Sequence, residues 1–316
     1  MTFLKKILLE KHFSKIKNLS NLSFLDLSTE KFNYSQSFFE EYRIFPKIQL
    51  DSFNKLRLNE NRFYNNSQWL KKELLNKNIL EIGSGSGKFT EILLNTKCNL
   101  ITTDINDSIL INYKNNFSKK FLNKVFFIKN NVDQIFLRDN SFDYVILYGI
   151  LQNVYNQKEI IKDSISKLKK GGKLTLDVTK ANKLGLHLLN PKYFWRHLFK
   201  RINPKKTLYF LNLIIPKFIK IDTFLKKKFG FCGRIISKII FPFPLINYFF
   251  LPLNDKIKLQ MSILDTFDAL VSKYDKPLTK KRLKKMINKI EKELNTKFEQ
   301  VSIFKKNNLI IANIVR

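Results

Sequence analysis

An apolar run that stops at a glycine-rich turn and restarts as a helix leaves a chain few architectures. Residues 78–95 read NILEIGSGSGKFTEILLN. The run NILEIG is short, apolar and ended by glycine, the pattern of a buried strand. In KFTEILLN, Phe89, Ile92 and Leu93 fall at helical spacing. Between them stand Gly83, Gly85 and Gly87. A dinucleotide turn needs G-x-G-x-x-G, but Lys88 occupies the third glycine position; a phosphate loop needs G-x-x-x-x-G-K-[ST], but Phe89 follows Gly87-Lys88 and Gly83 lies one residue too close. What remains is E-x-G-x-G-x-G, beginning at Glu81. Glycine suits such a loop because a Cβ would hold the backbone off a ligand or block positive φ. A turn of small residues made for tight packing satisfies the same pattern.

The rhythm continues downstream. NLITTDIN (99–106), KVFFIKNNVD (124–133), FDYVILYGI (142–150) and GGKLTLDV (171–178) read as strands with helical segments between them. The helix at 157–170 is expected to stop at Gly171. Alternating strands and helices imply a parallel sheet covered on both faces. After an amphipathic helix at 279–295, FEQVSIF and LIIANIV are separated only by KKNN, so they must pair antiparallel. The divisions expected are a helical extension (1–75), a Rossmann-like core (76–180), an insert or lid of short helices (181–277), and a final helix with hairpin completing the core sheet (278–316).

Two acids follow the loop at informative places. Asp104 lies 17 residues after Gly87, at the end of the second strand, where a carboxylate can bond ribose hydroxyls. Asp133 closes the third strand beside Val132. An ordinary strand-end turn would also explain Asp104, and a helix N-cap would explain Asp133.

Together these motifs resemble the class I S-adenosylmethionine (SAM)-dependent methyltransferases: LEIGSGSGKF the first motif, NSFDYVILYGILQNV the fourth-strand motif, LKKGGKLTLDV the next. The resemblance implies an α/β fold, a Rossmann-like seven-stranded sheet ending in an antiparallel hairpin. It implies SAM as cofactor, held by Glu81, Gly83, Ser84, Gly85, Gly87, Asp104, Ile105, Val132 and Asp133. FPKIQLDSF (45–53), GILQNV (149–154) and LDTFDALVSKYDKPLT (264–279) further resemble the ubiquinone/menaquinone-biosynthesis type (methyltransferase type 11) branch. Where related sequences of that branch carry His-Thr or His-Val, this chain has Asn153-Val154, so no imidazole stands there.

Methyl transfer asks the protein chiefly for alignment and a dry pocket, with a base only if the acceptor must lose a proton. Gln152, His187, Asp265 and Asp268 are the candidate catalytic residues. Asp265 and Asp268 share a face if helical, although helix capping or pairing with lysines would also account for them. The expected acceptor is a small molecule, a lipid-like or quinone-type ring, or a glycan-type compound. The competing readings are an RNA-directed methyltransferase, which the charge favours, and a non-catalytic SAM-binding scaffold on the same fold.

Composition bounds rather than decides these readings. The chain has 316 residues and a formal net charge of +32. That excess suits an anionic membrane or nucleic acid, but an A/T-rich coding composition also enriches Lys, Asn, Ile and Phe together. Two cysteines and three scattered histidines give neither a disulfide framework nor a metal site. The start, MTFLKKILLEKHF, lacks a secretory pattern, and the longest uncharged run (239–254) holds three prolines and is too short to span a bilayer. A cytoplasmic protein is expected, and nucleic acid is not the expected partner. The basic, aromatic insert reads first as a lid over the acceptor pocket, second as a plain helical cap and third as a peripheral contact with an anionic membrane.

Overall fold

The structure is a computed structural model; it describes residues 2–9, 24–27, 36–118, 121, 124–131, 136–181, 191–241 and 244–316. Its centre is a sheet whose strands in chain order are β1 (Phe24–Asp26), β2 (Asn78–Ile82), β3 (Asn99–Asp104), β4 (Val125–Lys129), β5 (Phe142–Leu147), β6 (Leu168–Thr179), β7 (Gln300–Lys306) and β8 (Leu309–Val315). Across the sheet the order is β1-β4-β3-β2-β5-β6-β8-β7. β1 to β6 pair in parallel, and β8 runs antiparallel to both β6 and β7. The expected α/β sheet with its terminal hairpin is therefore present.

Side chains alternate between faces along each inner strand. Leu80, Ile82, Ile101, Phe126, Ile128, Val145 and Leu147 join one core, and Ile79, Leu100, Val125, Phe127, Tyr144 and Ile146 join the other. Helices Gln157–Ser166 and Lys280–Glu293 cover the first face with Ile160, Ile161, Ile165, Leu283, Ile287 and Ile290. Helices Leu58–Ser67 and Lys88–Leu94 cover the second with Phe63, Phe89, Ile92 and Leu93. Burying one such side chain contributes about 2–3 kcal/mol, so both faces are firmly closed.

Three details differ from expectation. The sheet has an eighth strand: β1 pairs in parallel with β4, Phe24 opposite Phe127, and Leu25 is buried. Three residues are too few to show a period in the sequence. The helix expected at 157–170 ends at Ser166, because Lys167 bonds Asp163 and Asp139 and Leu168 already pairs with Phe142. Gly171 lies instead within β6, at positive φ.

The insert leaves and rejoins the sheet at one point, where Ala181 N–H donates to Leu278 O at 2.8 Å and Leu278 N–H to Thr179 O at 3.0 Å. It carries helices Pro191–Phe199, Pro204–Ile240 and Asp255–Val271. In place of short helices, residues 204–240 form one long helical stretch that reverses at Gly230 (φ 50°, ψ −118°), a backbone conformation unfavourable to a residue bearing a Cβ. Asp222, buried, accepts hydrogen bonds from Ser237 on the returning arm, from Asn247 beyond it, and from Lys226 at 2.7 Å. Leu208, Leu211, Ile215 and Ile219 pack with Phe267, Leu270, Phe45 and Ile48 in a third core.

Candidate active site

β2 is flanked by β3 and β5, so the strand order reverses beside it. In open parallel sheets ligands bind beyond the carboxyl ends of strands at that reversal. A pocket of about 830 Å³, counted to its open mouth, lies there, lined by the glycine loop, the end of β3 and the loop after β5.

The loop is fixed to β3 through backbone bonds. Gly83 N–H and Ser84 N–H both donate to Thr103 O, at 2.9 and 3.0 Å. Gly85 N–H donates to Asp104 Oδ2 at 2.7 Å, and Asn106 N–H to Oδ1 at 3.3 Å. Burial raises the Asp104 carboxyl above the usual carboxylate range, against the pull of those backbone donors. A Cβ on Gly83 would meet Ile150 at 2.3 Å, and one on Gly85 would meet Tyr42 at 2.9 Å. Gly87 serves packing: a Cβ there would strike Asn112 Oδ1 at 2.1 Å.

Glu81 sits behind the loop. Its Oε2 accepts from Thr90 Oγ1 at 2.5 Å and Thr102 Oγ1 at 2.8 Å, while Oε1 is buried without a partner among the described residues. Burial pushes its carboxyl up to about 7. It braces the loop against β3 and the following helix and does not line the pocket. Gly83, Ser84, Gly85, Asp104 and Ile105 do line it. Val132, Asp133 and His187 lie outside the described residues.

Other wall residues carried no local signal. Phe38 and Tyr42, on helix Gln36–Ile44, close one side with Phe89, Tyr148, Ile150 and Val154. Arg62 stands 5.5 Å from the Phe89 ring centroid and donates to buried Asp177 Oδ2 at 2.6 Å, while Asp177 Oδ1 accepts from Gly149 N–H at 2.7 Å. This bridge holds the loop after β5 against helix Leu58–Ser67. Gln152 is part of the same loop; its Nε2 donates to Gly149 O at 2.8 Å, and it is not a wall residue.

Charge is concentrated beside the pocket. Lys88 lines it, and burial lowers its ammonium pKa, aided by Arg62 and opposed by Asp265, Glu41 and Asp177. Burial raises the carboxyls of Glu41, Asp265 and Asp268; Asp268 and Asp265 raise Glu41 further, Asp268 raises Asp265, and Asp275 raises Asp268. Asp265 reaches about 6 and accepts a hydrogen bond from Tyr248 Oη. Asp268 accepts from Ser272 Oγ at 2.9 Å, and Glu41 Oε2 is buried with no partner among the described residues. Asp265 and Asp268 thus share one electrostatic group with Glu41 and Lys88, of which only Lys88 lines the pocket. Glu41, within the aromatic FFEEY segment, is the member the sequence reading missed.

Residues 80–176 match the methyltransferase domain family. Over 106 residues the chain is 32% identical to the ubiquinone/menaquinone biosynthesis C-methyltransferase of Rickettsia prowazekii, covering 31% of this chain and 43% of that one. The corresponding enzyme of Rickettsia typhi is 28% identical over 153 residues, covering 45% and 62%. The core is a SAM-dependent methyltransferase domain. The chain spans about half the length of these curated relatives. Human N-acetylserotonin methyltransferase, solved with SAM, aligns over 89% of this chain and 57% of its own at 9% identity and a TM-score of 0.47.

The cofactor of this methyltransferase domain is SAM, and the pocket suits it. Ser84 Oγ and Asn130 Oδ1 are buried in the wall and, among the described residues, have no hydrogen-bond partner. Buried polar atoms are rarely left so. A nucleoside with an amino-acid tail supplies both donors and acceptors for them.

Proposed function

We propose that the chain transfers the methyl group of SAM to a small, apolar or lipid-like acceptor, of which a quinone-type ring is the leading example and a glycan-type compound the alternative. The observation that carries the reading is Asp104, held by Gly85 N–H at 2.7 Å at the edge of a pocket walled by Phe38, Phe89, Tyr148 and Ile150. One wall is polar and built from loop backbone; the other is largely aromatic and aliphatic.

In this reading Gly83, Ser84 and Gly85 take the amino-acid end of the cofactor, Asp104 the ribose, and Ile105 with Val132 and Asp133 the adenine side. The bound cofactor supplies an electrophilic methyl on a sulfonium. The chain aligns the acceptor on the aromatic side and excludes water, which accounts for most of what such a displacement requires. Where the acceptor must lose a proton, Asp265 takes it: a carboxyl near pH 6 is ionised at neutral pH yet basic enough to matter. Burial and Asp268 hold that carboxyl up, while the Tyr248 hydrogen bond and Lys88 favour its charged form. A lipid-like acceptor resides in a bilayer, so peripheral contact with an anionic membrane is the matching expectation for partners.

Titration calorimetry on Asp104→Asn tests the assignment. The variant keeps an acceptor for Gly85 N–H but loses the charge, and SAM affinity is expected to fall at least about tenfold. Unchanged affinity would remove Asp104 from the site.

A further inference from the structure

We propose that the helical hairpin of the insert is a docking surface for an anionic phospholipid bilayer. On the first arm, Tyr209, Leu213 and Phe224 are exposed, and so are Lys206, Lys217, Lys220 and Lys227. At helical spacing all seven fall on one stripe. The opposite stripe, with Leu208, Leu211, Ile215 and Ile219, is buried in the third core. The returning arm repeats the pattern: Phe231 is 74% and Ile239 73% exposed, with Arg234 and Lys238 between them. An outward stripe that alternates rings with lysines is poorly suited to water or to a protein core. It suits an interface, where rings enter the headgroup boundary and lysine stems lie along it with their ammonium groups among phosphates.

Charge selects the occupant. Residues 191–250 hold thirteen Lys and Arg against one acid, Asp222, and that acid is buried between the arms. Such a face repels a second copy of itself and attracts an anionic surface. Among the described residues no helix is long and apolar enough to cross a membrane, so the hairpin lies on the bilayer. Its placement has a consequence. The buried side of the hairpin packs on Phe45 and Ile48, directly after helix Gln36–Ile44, whose Phe38 and Tyr42 wall the pocket. Docking therefore sets the aromatic wall near the lipid surface. Only this consequence rests on the lipid-like acceptor; the surface itself does not.

The chain carries its own reporter site. Cys232 is exposed on the returning arm, and Cys98, the other cysteine, is buried. The full chain, labelled at Cys232 with an environment-sensitive fluorophore, is mixed with vesicles of phosphatidylcholine alone or with added phosphatidylglycerol. Expected are a blue shift and co-sedimentation with the anionic vesicles only, both weakened by salt. Phe231→Ser/Ile239→Ser is expected to lower vesicle affinity at least about tenfold through lost apolar burial, with its SAM-induced rise in melting temperature unchanged. Equal binding to both vesicle types, no binding, or an unshifted fluorophore would overturn the proposal, as would undiminished affinity of the double variant. So would a single-stranded RNA that binds while vesicles fail to. Since vesicle binding is read without methyl transfer, its failure is distinct from failure of the proposed activity.

Discussion

Gly85 has φ +55°, and a Cβ there would lie 2.9 Å from the Tyr42 ring. The left-handed backbone alone costs a residue with a Cβ about 1–2 kcal/mol. Gly85→Ala is therefore expected to weaken SAM binding about tenfold. Gly85→Ala/Tyr42→Ala should recover part of the loss; in calorimetry, purely additive losses would assign the whole cost to the backbone. Asp265 allows a prediction in pH. Burial lifts it from 3.8 to about 6, so below that pH it is neutral and accepts no proton. The rate with a proton-losing acceptor should climb through about pH 6. In Asp265→Asn that limb should vanish and the rate fall about 10²- to 10⁴-fold. A variant profile that keeps the limb would assign the titration elsewhere. Tyr248 stays protonated throughout, because burial and the facing Asp265 both raise its pKa, so it remains a donor to Asp265.

The helical hairpin depends on one buried carboxylate. Asp222 binds Ser237, Asn247 and Lys226, joining residues far apart along a stretch that would otherwise run straight. Asp222→Ala leaves those donors without an acceptor, and a loss of about 3 kcal/mol is expected. Hydrogen exchange should localise the loss to residues 231–241, with β2 and β3 still protected; uniform acceleration would show that the hairpin is not a separate unit. The elements also show what a sequence can disclose. β2 to β6 were legible because a buried parallel strand is a short apolar run and a loop beside a ligand demands glycine. β1 was not, because its three residues are ordered by β4. Nor was the reversal at Gly230: the apolar spacing is helical on both sides, and only FGFCG marks the break. The electrostatic group was half legible. Asp265 and Asp268 share a helix face, but Glu41 and Lys88 reach them only through tertiary packing, which no local pattern encodes.

At the scale of the whole molecule the net charge of +32 leaves many lysines and arginines without an acid to pair with. Some acids already serve several cations: Glu293 meets Lys158 and Lys162, and Glu40 meets Arg43 and Lys205. Repulsion among the remaining cations opposes compaction. Exposed charges beyond about 10 Å are screened at 0.1 M salt, which relieves this repulsion more than it weakens the few exposed pairs. Melting temperature should therefore rise with sodium chloride, by a few degrees for each kcal/mol relieved. Sucrose at matched osmolality serves as the control for exclusion effects. A chain stabilised mainly by surface ion pairs would show the opposite slope. The same titration bears on the hairpin: if the repulsion is centred on the nine basic residues of 204–240, Lys217→Glu/Lys220→Glu should raise the melting temperature at low salt and flatten its salt dependence. Equal slopes for that variant and the parent would spread the repulsion over the rest of the surface.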